Sequence, residues 1–145
     1  MLFSFFVDSM SGSLIDLLST QPHYQILREY SRLEVYFLPE LSAYLKIGEI
    51  GKNSNLGWER KVLEWLSGKI NVPAILDFEI VDEREYLLIS EISGQTYSDK
   101  LAVFNKPNDI ERLAELVAIH IRRIHDLPIE DCDLDQRLTA KIKKA

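Results

Sequence analysis

A chain of 145 residues, 46% apolar, can bury one core, so a single soluble domain is the starting expectation. The formal charge of -6 and the lack of any Lys and Arg cluster exclude a nucleic-acid footprint and suit a cationic small substrate better. The single cysteine, Cys132, excludes an internal disulfide, and no Cys and His set has metal-ligand spacing, so a reducing cytoplasm and no metal site are expected.

In chain order, Met1–Val7 is apolar but lacks a basic flank, is broken at Asp8 and is far too short to span a bilayer. It reads as a leader or as packing for the first helix, with Met10 as an alternative start. Residues 14–30 read as helix and then loop, Pro22 ending the helix. Leu33–Leu38 and Ser42–Ile47, joined across Pro39 and Glu40, have the pattern of a hairpin. A helix is predicted from about Asn55 to Ser67, with Gly68 as its stop. Ala74–Val81 and Tyr86–Glu91 read as two more strands around the charged turn Asp82-Glu83-Arg84.

From Ser98 onward the period becomes helical. Asn108 with Glu111 resembles a capping box, and Ile110, Leu113, Ala114, Val117, Ile121 and Ile124 form one stripe that ends before Pro128. Leu134, Leu138 and Ile142 begin another amphipathic helix. Three or four strands cannot cover both, so the pattern predicts a boundary after Ser93 and a second, helical lobe of which only the first helices are here. An uncovered stripe would favour self-association.

The chemistry-bearing residues lie in the first part. Along Ser42–Ile47, Tyr44 and Lys46 project to one side while Ala43, Leu45 and Ile47 project to the other. A ring that can cover a base then shares a surface with an amine that can meet phosphate. A solvent-facing Tyr and Lys on an edge strand is the alternative. On the following helix, Trp58, Val62, Leu63, Trp65 and Leu66 define an apolar arc that includes Glu59, whereas Arg60, Lys61 and Glu64 take the opposite face. A carboxylate on the core side needs a partner, and Lys46 is the obvious one. Glu59 reaching to water from the edge of the arc is the other possibility.

Tyr44-Leu45-Lys46, Trp58-Glu59-Arg60, the run from Trp65-Leu66-Ser67-Gly68-Lys69 to Val72-Pro73, and Tyr86 through Ile92-Ser93-Gly94 resemble, in order and spacing, the aminoglycoside 3'-phosphotransferase family. The resemblance covers roughly Leu33 to Leu138. It implies an α+β fold: a protein-kinase-like N-lobe over residues 1–93, with an antiparallel sheet and one αC-type helix. Residues 94–145 would be the hinge exit and first helices of an incomplete α-helical C-lobe. It further implies ATP as ligand, with Tyr44 stacking on adenine, Lys46 contacting the α- and β-phosphates and Glu59 orienting Lys46. The backbone at Ser90 and Ile92 would be the hinge that meets the adenine edge, with Ile89 at the back of the pocket. Tyr30-Ser31-Arg32-Leu33-Glu34 would lie over the phosphates, Ser31 near the β-phosphate. That loop contains no glycine, and Glu34 stands where a neutral or basic residue would suit phosphate. His125 matches a family histidine and reads as a packed residue, His120 as a solvated one, and Cys132 carries no expected reactivity.

The family's His-Gly-Asp catalytic loop and Ile-Asp-x-Gly motif occur nowhere in these 145 residues. The expectation is therefore an ATP-binding part of an antibiotic kinase, inactive alone, with Mg²⁺ needed only by an intact enzyme and an aminoglycoside held only with a C-lobe. A non-catalytic fragment that docks with a separate C-lobe, a remnant, and a piece of a related small-molecule kinase stay open. No membrane or nucleic-acid partner is expected.

Overall fold

A computed structural model of the chain describes residues 13–26, 33–51, 55–94, 107–130 and 132–134. Two compact units divide it, one drawn from residues 1–67 and 72–92, the other from residues 68–71 and 93–145.

The first unit is built on a five-stranded antiparallel sheet. Its strands are β1 (Tyr24–Gln25), β2 (Glu34–Leu38), β3 (Ala43–Glu49), β4 (Ile75–Val81) and β5 (Arg84–Ser90), in the order β1-β2-β3-β5-β4. The predicted α+β class and the four longer strands are therefore present. β1 falls in the segment that the sequence predicts as loop, because two exposed residues that pair only with Phe37 and Tyr36 carry no periodic signal. β3 is a central strand, so the edge-strand alternative for Tyr44 and Lys46 does not hold. A 3-10 turn at Pro39–Leu41 joins β2 to β3, started by the fixed φ of Pro39 and closed by Ser42 at φ 46°. Asp82 and Glu83, at φ 49° and 60°, join β4 to β5. Two consecutive left-handed residues give the tight hairpin turn whose twist matches the strands it joins.

The register sorts the side chains by face. Leu38, Ala43, Leu45, Ile47, Tyr86 and Leu88 share one face, and Val35, Phe37, Tyr44, Lys46, Leu87 and Ile89 the other. Helix α1 (Leu14–Thr20) covers the first face, Leu14 and Leu17 joining a buried cluster with the leucines, Ala43, Ile47 and Tyr86. Its start is tied to the sheet from outside the helix. Glu79 on β4 accepts the Leu14 amide at 2.9 Å and the Ser13 hydroxyl at 2.6 Å, so a carboxylate sits at the positive end of the helix.

Helix α2 (Leu56–Leu66) covers the second face, where Leu56 and Leu63 are buried with Leu87 and Ile89. The buried line is thus set by Leu56 and Leu63, seven residues apart, rather than by the tryptophan-centred arc. Trp58, Val62, Trp65 and Leu66 are only half-buried. Starting the period at Trp58 rotated the predicted face by roughly a quarter turn. Arg60 consequently leaves the fully solvated side, and its guanidinium lies 4.7 Å from the centroid of the Phe78 ring while its Nε pairs with Glu64 at 3.4 Å. Gly68, at φ 77°, follows the Ser67 cap as the left-handed residue that stops the helix.

In the second unit, helix α3 spans Pro107–His125. Asn108 falls inside its first turn, so Asn108 is not the cap; Pro107, whose missing amide costs nothing at a helix start, takes the first position. Arg122, Arg123 and His125 crowd the last turn, where cations oppose the negative end of the dipole. Ile110, Val117, Ile121 and Ile124 of the predicted stripe are exposed. His125 is exposed too, not packed, as are Ile121 and Ile124 of the stripe beside it. His120 is exposed, its Nδ1 2.7 Å from the Leu116 carbonyl. The predicted helix beyond Leu134 and the Met1–Val7 segment lie outside the described residues. Among those described, no helix is long and apolar enough to cross a membrane.

Candidate functional site

Lys46 sits in the middle of β3, its Cα opposite Val35 of β2 and Leu87 of β5. Its ammonium donates to Glu59 Oε1 at 2.5 Å, across from strand to helix. Glu59 is brought there by the α2 period, three residues after buried Leu56 and four before buried Leu63, on the same side of the helix. The core-side placement of Glu59 and its pairing with Lys46 therefore hold, although the arc that suggested them was rotated. The side chains are 24% and 33% exposed. At that depth an ion pair adds little to stability but keeps a long, flexible amine in one place.

Tyr44 shares the face of Lys46, two residues earlier on the strand. Its ring packs against Phe37, directly across on β2, with centroids 4.9 Å apart and planes tilted by 38°. Ile89 lies across from Tyr44 on the other side and is buried, as is Leu87 beside Lys46. Ring and amine thus stand over an apolar floor. Beyond Ile89 the strand runs into Ser90, whose amide donates to the Ala74 carbonyl at 2.8 Å and whose hydroxyl accepts the Ala74 amide at 2.9 Å. The Glu91 amide donates to Ser42 at 2.7 Å, and Ile92 is exposed. Lys46, Glu59, Tyr44 and Ile89 are therefore gathered on one face, Ser90 ends the inner strand β5 and Ile92 lies just beyond it, while Ser31 lies outside the described residues.

Glu34 resolves differently from what the sequence suggested. It pairs with Ile47, hence projects to the α1 face, away from Lys46. Arg84 and the Tyr36 hydroxyl both donate to it, the latter at 2.9 Å. Burial first, and then the hydrogen bond and charge of Glu34, hold the Tyr36 phenol above its ordinary range. Desolvation pulls the Arg84 guanidinium down, but the hydrogen bond and charge of Glu34 outweigh it and leave Arg84 raised. A carboxylate so engaged does not oppose an anion at Lys46.

With this geometry in place, the comparison with known proteins is specific. The model of the phosphotransferase enzyme family matches residues 25–145. The chain belongs to that family. Similar relatives are an aminoglycoside 3'-phosphotransferase of Enterococcus faecalis, 32% identical over 68% of this chain and 38% of that protein, and one of Staphylococcus aureus, 32% identical over 77% and 43%. A third, of Streptomyces fradiae, is 31% identical over 74% and 40%. The chain thus spans about two-fifths of the length of these relatives. The resemblance read from Trp65–Pro73 and Tyr86–Gly94 is borne out at the level of the family, and the sheet with α2 fits its kinase-like N-lobe.

Two groups beside this cluster are not foreseen from the sequence. Phe37 faces Tyr44 because the 3-10 turn Pro39–Leu41 centres the hairpin between Glu40 and Leu41; a hairpin centred on Pro39-Glu40 would set Phe37 opposite Ser42, so the turn hid this pair from the sequence. The second is Glu85 on β5, which accepts the amides of Leu56 and Gly57 at the start of α2 at 2.9 and 3.2 Å. No local signal announces a cap that arrives from 28 residues downstream. Among the described residues, no group of three or more His, Cys, Asp and Glu could hold a metal ion.

Proposed function

We propose that this chain is the nucleotide-binding portion of a phosphotransferase that moves the γ-phosphate of ATP to a hydroxyl of an aminoglycoside. The observation that carries the reading is the Lys46 to Glu59 pair, half-open to solvent on the face that Tyr44 shares. Lys46 meets the α- and β-phosphates as a point charge, and Glu59 keeps its amine from swinging away. Tyr44, backed by Phe37, covers adenine over the floor made by Ile89 and Leu87. The backbone at Ser90 and Ile92 meets the adenine edge, and Ser31 belongs to the phosphate side. The division falls after residue 93, with the nucleotide site in the first part and the start of an incomplete C-lobe in the second; an aminoglycoside is held only with that C-lobe.

The residues described here do not assemble a magnesium site, and neither His-Gly-Asp nor Ile-Asp-x-Gly occurs in the sequence. Positioning of the acceptor hydroxyl and of the metal makes up most of phosphoryl-transfer catalysis. These 145 residues by themselves therefore bind nucleotide without turning over an antibiotic.

Calorimetry with ATP tests this directly. The chain is expected to bind ATP, and Lys46→Ala to weaken it at least ~10-fold, the loss of one charge-assisted phosphate contact. No binding by the unaltered chain would overturn the reading. ATP-dependent antibiotic modification that disappears in Lys46→Ala would overturn the inactivity and point to an additional site.

A further inference from the structure

The first turn of α2 lacks a cap of its own. Asn55 precedes the helix, but its side chain makes no capping hydrogen bond. The orphan amides of a helix start still need acceptors, and those of Leu56 and Gly57 find them in the two oxygens of Glu85, Oε2 at 2.9 Å and Oε1 at 3.2 Å. A charged acceptor there also meets the positive end of the helix dipole. Gly57 belongs to the same arrangement. A Cβ at that position would lie 3.0 Å from Glu85 Oε1 and 3.7 Å from the Phe78 ring, so glycine, otherwise a poor helix former, lets the carboxylate approach.

The placement of Glu85 links this clamp to the site. On β5 it pairs with Gly48, and two residues on, Leu87 pairs with Lys46, so Glu85 and Lys46 share a face at fixed sheet spacing. On α2, Glu59 follows Leu56 by three residues, close to one helical turn. One carboxylate therefore fixes the helix start to the strand next to Lys46, and the 2.5 Å contact between Lys46 and Glu59 depends on that fixed origin. Slippage of α2 by a fraction of a turn would part them. The sheet's other helix has a comparable clamp, Glu79 of β4 at the start of α1, but on the opposite face from Lys46.

We infer that Glu85, admitted by Gly57, is a positioning residue that sets Glu59 against Lys46 by anchoring the start of α2 to β5. The inference rests on the nucleotide reading for its functional meaning, not for its structural test. That test is acylation of the full chain with acetic anhydride, the rate at the Lys46 amine read by mass spectrometry relative to exposed Lys61. An amine held by a carboxylate acylates slowly. Glu59→Gln is expected to speed labelling of Lys46 several-fold, and Glu85→Ala to do the same; Glu79→Gln leaves it unchanged. Glu85→Gln, which keeps one acceptor oxygen, gives an intermediate rate and replaces Glu85→Ala should that variant not hold its fold.

Labelling of Lys46 at the unaltered rate in the Glu85 variants overturns the inference, as does equal acceleration in Glu79→Gln, which would mark a general loss of stability. ATP affinity is measured on the same proteins and should fall about fivefold in Glu85→Ala. Absence of ATP binding to the unaltered chain overturns the nucleotide reading alone, since the labelling rates still decide the role of Glu85.

Discussion

The two faces of the sheet use the same strands for different ends. Under α1, Leu14, Leu38, Leu45 and Leu88 are wholly buried, and at its margin Glu34 pairs with Arg84 and accepts the Tyr36 hydroxyl. Under α2 the cluster is smaller, Leu56, Leu63, Leu87 and Ile89, and the middle of the central strand is given to an amine and a ring that remain partly open. The difference teaches where stability and function are held. Because period two sends neighbours to opposite sides, Leu45 can anchor the core while Tyr44 and Lys46 on either side of it stay available.

The largest test of that division is Leu88→Ala. It removes a fully buried side chain from the α1 face and should cost about 2–5 kcal/mol in denaturant unfolding. Lys46→Ala, on the other face, should change stability by no more than ~1 kcal/mol, the worth of a partly exposed pair, while removing most nucleotide affinity. Equal destabilisation by the two would erase the contrast. Glu79→Gln comes next, weakening the α1 clamp by about 1 kcal/mol with ATP affinity unaltered; a loss of affinity would show the two faces to be coupled through the β4–β5 hairpin. The smallest effect concerns Tyr36. Its phenol is held above the ordinary value of 10.0, so the fold favours the protonated form. That contribution is complete below pH 10.0 and is lost as pH rises through the raised value. Tyr36→Phe should flatten the alkaline decline in melting temperature, and an unchanged slope would assign the decline to other groups.

Much of this could be read from the chain. Alternation over Ser42–Ile47 separates the faces of β3, and a breaker such as Gly68 marks the end of a helix because its left-handed φ is strained for other residues. The Lys46 and Glu59 pairing was legible because a carboxylate among apolar positions demands a cation. Other features were less accessible. The bounds of α2 follow the predicted Asn55–Ser67, but its buried line through Leu56 and Leu63 was obscured by the tryptophans, large residues that half-burial satisfies. β1 is too short to carry a period at all.

What the sequence determined by itself is therefore local and periodic: the four longer strands, the helices, the two faces of β3, and the family that such a pattern resembles. Only the tertiary structure decided which distant groups complete those elements. Glu34 is turned away from Lys46 by strand register, Arg60 finds the Phe78 ring, and Glu85 supplies the cap that Asn55 does not make. The physical reason is range. Backbone sterics and hydrophobic period act over a few residues and are written in neighbouring letters, whereas a hydrogen bond or ion pair between strand and helix exists only once the sheet has set both partners in place.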